Sequence, residues 1–503
     1  MNIKNFPKTR LVFLLLFLLE LVSFFCYLFP IFGKVAFFII LIASLFLTFK
    51  DLKFGLLLIF IELIIGSKGY LFHIDFFGVD VSIRIALWII VMSFWFAKLV
   101  NELLIHKYDF KKINSLKFLY SKHSKYFLVF FLFILWGIVS GVLHNNYFDN
   151  LFFDFNGWIF FLLVFPIYSS IQKIDDVREF LKIGLIAIVW VCAKTFILLF
   201  LFSHNIYGII YEIYRWVRVT GVGEITQVQG GFYRIFLQSH IFVLITYFVF
   251  LFLISQVKNI KELFTEKTNL INFIIITLLS SVVLLSFSRS FWVAGAIGFL
   301  ISLFVIFIKY DYKRLLKLLF VLILSGALAL LLIFVVVKFP YPDPIGGFDP
   351  ARLIGERAIQ VKDEAAVSSR WNLLPVLLGE IKSSIFLGKG FGSTVTYKSN
   401  DPRVLESTVS GEYTTYAFEW GWLDIWLKLG LFGLASYLLL LFKIVTRKIV
   451  NNQELFLIYG LNLGIVIVAF VSIFTPYTNH PLGIGYIIFA VLFLDIINNK
   501  AIA

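Results

Sequence analysis

The chain has 503 residues, of which 60% are hydrophobic, 19% aromatic and 15% charged, with a mean hydropathy of +0.95. A soluble domain of this length would carry about a quarter charged residues, so soluble classes are excluded and the chain reads as an integral membrane protein. The net charge of +14 would suit nucleic acid. The basic residues, however, cluster between apolar runs, where topology and anionic lipid headgroups account for them, so nucleic acid is not an expected partner.

The apolar runs have helix length rather than the ten-residue alternation of a barrel, which predicts an all-α polytopic fold. In chain order, about fourteen spans are expected at 11–32, 35–49, 54–67, 82–99, 126–143, 157–171, 183–203, 236–256, 270–287, 291–308, 318–337, 420–442, 454–474 and 481–497. The first lacks a small-residue cleavage site and reads as a retained span. Cys26 and Cys192 both fall inside apolar segments, so neither suggests a disulfide framework. Glu20, Glu62 and Lys194 are charged residues within spans; they should face the bundle interior as stabilising pairs or as an ion path.

Most basic residues fall in alternate connections, including the run from Lys98 to Lys125, which predicts both termini in the cytoplasm. The long hydrophilic excursion from Lys338 to Phe418, between spans eleven and twelve, and the connection from His204 to Ile235 then lie outside. Three regions follow: an N-terminal bundle over 1–203, a core over 204–442 that includes the large loop 338–418, and C-terminal helices over 443–503. Arginines on the outer side are not called for by orientation and are better candidates for function. They are Arg215, Arg218, Arg234, Arg289, Arg352, Arg357, Arg370 and Arg403.

Three constellations stand out among them. At Ser286-Phe287-Ser288-Arg289-Ser290-Phe291-Trp292 two spans meet with almost no loop, placing one guanidinium at a membrane boundary. Its planar fork of donors suits a phosphate or pyrophosphate, although an arginine there can also simply snorkel to the interface. Arg215, Arg218 and Arg234 are interleaved with aromatics and glycines, a mixture able to hold an anionic headgroup and stack sugar rings. In the excursion, Ser369-Arg370-Trp371-Asn372 leads into an amphipathic helix with Asn372 as its cap and Pro375 in its first turn; Gly388-Lys389-Gly390-Phe391-Gly392 reads as its stop. Asp424 and Lys428 are spaced for an ion pair on one helix face. The glycine run lacks the spacing of a P-loop, and no metal or hydrolase signature appears, so neither cofactor nor metal is expected.

The arrangement resembles the O-antigen ligase and polymerase superfamily of bacterial envelope glycosyltransferases. Ser288-Arg289-Ser290-Phe291-Trp292 resembles the family's S-R-G-x-W. The stretch from Ser369-Arg370-Trp371 to Phe386-Leu387-Gly388-Lys389-Gly390-Phe391-Gly392 resembles R-x-x-x-W…P-L-x-G-x-G-x-G, and Leu429-Gly430-Leu431-Phe432-Gly433-Leu434 resembles the E-x-G-L-x-G-L after the large loop. The resemblance covers approximately residues 215–442. It implies an undecaprenyl pyrophosphate-linked oligosaccharide as donor, with Arg289, Arg370 and Arg218 or Arg234 on the pyrophosphate while an acceptor hydroxyl attacks the anomeric carbon. Arg215, Trp371 and His480 complete the substrate-binding candidates. Membrane lipids, a chain-length regulator and a flippase are the partners it implies.

Ligases of this family carry a histidine before the span that follows the large loop. Here Glu419 stands in its place, followed by Trp420-Gly421-Trp422-Leu423, and would be the general base. That departure favours a polymerase of repeat units over a ligase acting on lipid or protein. A transporter for bicarbonate or a lipid-linked sugar is a third reading, although no matched pair of broken helices supports it. His480, in the last outer turn, is the next candidate for the base.

Overall fold

A computed structural model describes residues 6–499 apart from 77, 205, 207, 310–311, 360–364, 401, 409 and 451–452. Apolar helices dominate it. In chain order they are α1 (Phe6–Leu28), α2 (Pro30–Lys50), α3 (Leu52–Ile65), α4 (Ile83–Ile105), α5 (Ser124–Leu143), α6 (Phe148–Asn156), α7 (Val164–Ser170), α8 (Ile174–Ser203), α9 (Ile210–Val219), α10 (His240–Ser255), α11 (Ile260–Thr265), α12 (Lys267–Leu285), α13 (Arg289–Lys309), α14 (Tyr312–Val337), α15 (Pro350–Ile359), α16 (Ala365–Lys382), α17 (Pro402–Ser407), α18 (Gly421–Val445), α19 (Leu455–Val471) and α20 (Pro481–Asn499). Among the described residues eleven helical segments have the length and apolarity to cross a membrane, α6 and α7 forming one of them with the 3-10 turns between. The fold is an all-α polytopic membrane protein.

Each of the fourteen predicted segments coincides with helix, but three are short. Those at 54–67, 236–256 and 454–474 form helices of 14, 16 and 17 residues. Neighbours cover them: α10 packs on α12 and α19, and α3 on α2, α4 and α8. A helix screened from lipid by other helices is not held to the bilayer thickness. The charged residues within spans are paired, as interior charges must be: Lys194 Nζ lies 2.7 Å from Glu20 Oε1, and Arg84 grips Glu62 with two hydrogen bonds of 2.6 and 3.0 Å.

At the end of the bundle that carries the excursion, here the loop end, the described residues of the connections form three antiparallel hairpins. They are β1 (His73–Phe76) with β2 (Val79–Ser82), β3 (Gly223–Val228) with β4 (Phe232–Leu237), and β5 (Val395–Lys398) with β6 (Glu412–Thr415). The second hairpin buries Phe232, Ile235 and Leu237 completely, so the 204–235 connection is built onto the bundle rather than free of it. Helix α16 starts at Ala365, earlier than predicted, because Ser369 and Asn372 are engaged sideways: Asn400 N donates to Ser369 Oγ and Asn372 Nδ2 to Lys398 O. Asn372 is therefore not the cap, and Pro375 lies inside the helix.

The glycine run after α16 is more than a helix stop. Residues 385–391 lie between α5 and α18, and α18 breaks there: Gly430 has φ 73° and ψ 177°. The break frees Leu427 O and Lys428 O, which accept from Lys389 N at 2.7 Å and Gly390 N at 3.0 Å; Leu431 N in turn donates to Ile385 O at 2.8 Å. On the other side Phe391 N donates to Gly137 O of α5, and Trp136 Nε1 to Leu387 O. Irregular backbone between membrane helices is tolerable where its polar groups are satisfied by protein, as these are. Gly390 has φ 79°, and a Cβ there would collide with the backbone of Gly141; one at Gly430 would collide with Phe386 O.

Candidate active site

Four segments meet at the loop end. The α12–α13 joint reverses direction through Phe287, a non-glycine residue at φ 43°, so Arg289 becomes the first residue of α13. Such a conformation costs on the order of 1–3 kcal/mol. Phe287 is held in it by packing against Phe232 and Trp292, with ring centroids 5.6 and 5.7 Å away. Strand β4 supplies Arg234, whose Nε donates to Ser286 O of that joint at 2.7 Å. Helix α16 supplies Arg370. The turn after α19 closes the group: Thr475 Oγ1 donates to Ser290 Oγ and Tyr477 OH to Gln238 O.

The three arginines come close enough for their charges to act on one another. Burial lowers the Arg234 guanidinium to about 10; Arg370 and Arg289 push in the same direction, and Glu224 opposes them. Burial also lowers Arg370, with the charge of Arg289 adding to it. Three cations crowded against their own repulsion make a place suited to a multiply charged anion. Glu419 pairs with the Arg370 guanidinium, and Trp420 Nε1 donates to Arg370 O at 3.1 Å. Trp371 is exposed and meets Trp420 edge to face at 5.7 Å, leaving an aromatic surface beside the arginines.

The other candidates lie elsewhere. Arg215 and Arg218 are on the exposed face of α9, bonded to Tyr211 OH and Tyr214 OH one turn earlier. Alternation with buried Ile213, Trp216 and Val217 turns them away from the bundle, which spacing along the chain does not reveal. His480 is pulled down to about 3 by burial and then by Arg84 and Lys68, so it stays neutral at physiological pH. Its Nδ1 accepts from Leu482 N. Arg352 is exposed, and the side chains of Arg357 and Arg403 lie outside what the structure describes.

The sequence reading missed Asp154. The predicted Asp424–Lys428 pair is present at 2.6 Å, but Lys428 Nζ also lies 2.6 Å from Asp154 Oδ1, and Asp154 Oδ2 accepts from Gly392 N. Asn479 donates to Asp424. This buried network ties the glycine run, α6, α18 and the last turn together. A lone aspartate in the apolar run Leu151-Phe152-Phe153-Asp154-Phe155 was the signal available, since a charge among such residues requires a partner.

Residues 274–438 match the family model described as O-antigen ligase. The chain carries a domain of the O-antigen ligase/polymerase superfamily. The match runs from α12 into α18, so the O-antigen ligase-type domain holds Arg289, Arg370, Glu419, the glycine run and Lys428. Arg234, Asp154 and His480 come from outside it. No curated relative matches the chain.

Proposed function

We propose that this protein is a polysaccharide polymerase, transferring a polyprenyl pyrophosphate-linked glycan to an acceptor glycan at the outer face of a bacterial cytoplasmic membrane. The observation that carries the reading is the convergence of Arg234, Arg289 and Arg370 from three separate elements. Their guanidiniums would receive the donor's pyrophosphate, with the polyprenyl chain in the bilayer and the sugar against Trp371. The acceptor hydroxyl oxygen forms a bond to the anomeric carbon as the bond from that carbon to the phosphate oxygen breaks. The electron pair leaves on the pyrophosphate, where arginines aimed at the developing charge stabilise it.

Glu419 is the base in this proposal. Its carboxylate holds Arg370; once the pyrophosphate takes over that guanidinium, the carboxylate is released to accept the hydroxyl proton. His480 lies on another segment, in the turn before α20, where its Nδ1 accepts from Leu482 N. The name of the matched family favours a second reading, a ligase transferring finished glycan to lipid or protein. A polymer-length assay on purified protein with a lipid-linked repeat unit tests the proposal: a ladder of multiples supports polymerisation. A single transfer to a non-glycan acceptor, without a ladder, would identify the ligase instead.

A further inference from the structure

The opposite end of the bundle, where basic residues concentrate, holds a cavity of about 800 Å³ that the chemistry above does not use. It opens among the 3-10 turn Asn114–Tyr120, the start of α5 and the last turns of α18 and α20. Lys117, Lys122, Lys443, Arg447 and Lys448 line it against the carboxylate of Asp495. That carboxylate is engaged already. Arg447 Nη1 donates to its Oδ1 at 2.7 Å, Tyr168 OH donates to Oδ2 at 2.6 Å, and His123 Nε2 lies 3.5 Å from Oδ1.

Arg447 is fixed further by its Nε, which donates to Ile444 O at 2.9 Å. Among the described residues its remaining nitrogen, Nη2, is buried and meets no acceptor, and His123 Nδ1 is buried and unpartnered too. The two side chains are 6% and 7% exposed. Buried polar groups in folded proteins nearly always find a partner. Topology accounts for lysines at this end, but not for a concave basic cavity walled by two deeply buried polar side chains, each with one nitrogen unpaired among the described residues. The positive end of α5, which starts at Ser124, adds to the field.

We propose that this cavity binds a phosphate-bearing anion, the headgroup of an anionic glycerophospholipid. The phosphate oxygens accept from the lysines that line the cavity, with the charge of the Arg447 guanidinium behind them, and the apolar wall of Ile174, Leu492 and Ile496 meets the glycerol and upper acyl carbons. A free phosphate has no use for that wall. The bound lipid braces the end of α18, the helix whose other end follows directly on Glu419.

Native mass spectrometry of the detergent-purified full chain, titrated with dihexanoyl phosphatidylglycerol or dihexanoyl phosphatidylcholine, tests the proposal. One phosphatidylglycerol should bind roughly tenfold tighter than phosphatidylcholine, and the doubly substituted Lys122→Glu, Lys448→Glu chain should lose that preference. Both lysines are exposed, so the lipid-free unfolding temperature should not move. Arg447→Gln should weaken binding comparably; if that chain fails to fold, the exposed pair decides. Equal binding of the two lipids, or an undiminished preference in the double variant, overturns the site. Displacement of phosphatidylglycerol by an equal concentration of inorganic phosphate overturns the lipid assignment.

Discussion

The carboxylate of Glu419 holds the guanidinium of Arg370 across 49 residues of sequence, at the two ends of the segment that forms α16, the glycine run and the third hairpin. The pair is part exposed, with side-chain exposures of 35% for Arg370 and 50% for Glu419, so an arriving anion can compete for the guanidinium. A pair of this kind contributes little to stability, about 0–1 kcal/mol. Its consequence is placement: the proposed base and a proposed pyrophosphate ligand start in contact.

Glu419→Gln keeps the shape and removes the basicity. Turnover should fall by about 10²–10⁴-fold, the usual range for a lost general base, with donor affinity nearly unchanged. Glu419→His should keep part of the activity. Steady-state kinetics on purified protein check both; a large rise in KM at unchanged kcat would instead make Glu419 a residue that only positions Arg370.

Arg289→Ala and Arg370→Ala should each lose product by at least about tenfold, since a hydrogen bond to a charged group contributes about 1.5–3 kcal/mol. Protein level in the membrane should stay near normal. Lysine should rescue poorly, because a point charge replaces a bidentate fork. Arg215→Ala and Arg218→Ala, facing away on α9, should polymerise nearly as the parent does; a polymer-length assay on all four variants separates the two groups.

Gly390→Ala should cost the fold rather than the chemistry. A left-handed conformation alone costs an alanine about 1–2 kcal/mol, and its Cβ would push α5 away from the glycine run. The expected result is a lowered unfolding temperature in detergent and reduced protein in the membrane. An unchanged unfolding temperature would show that the segment can move away from Gly141 freely.

Lys428→Met should destabilise more than Asp154→Asn. Removing the lysine leaves two buried carboxylates without a cation, whereas removing one carboxylate leaves Lys428 paired with Asp424. Breaking a buried pair typically costs about 3–5 kcal/mol. Thermal unfolding of both variants ranks them, and the reverse order would mean that Asp154, not Lys428, anchors the network.

Single cysteines at Ile345 and Thr226 should react with an impermeant thiol reagent in intact spheroplasts, while one at Tyr120 should not. All three positions are exposed, and the native Cys26 and Cys192 are buried. Labelling at 120 alone would invert the orientation that the basic residues predict.

The sequence by itself determined the class and the helices, because a bilayer requires long apolar runs and satisfied backbone, and both are written locally. It also marked Arg289 and Arg370, since their charge runs against orientation, and the Asp424–Lys428 pair, since four residues is one helical turn. What only the tertiary structure decided is which groups share a place. Arg234 and Arg218 look alike in the sequence, yet a strand turns one toward Ser286 while α9 turns the other outward. The glycine run reads as a stop until α18 is seen to break at Gly430, where backbone groups from three distant segments satisfy one another. Asp154 acquires its meaning in the same way: a buried charge announces that a partner exists, but only packing chooses Lys428, 274 residues away.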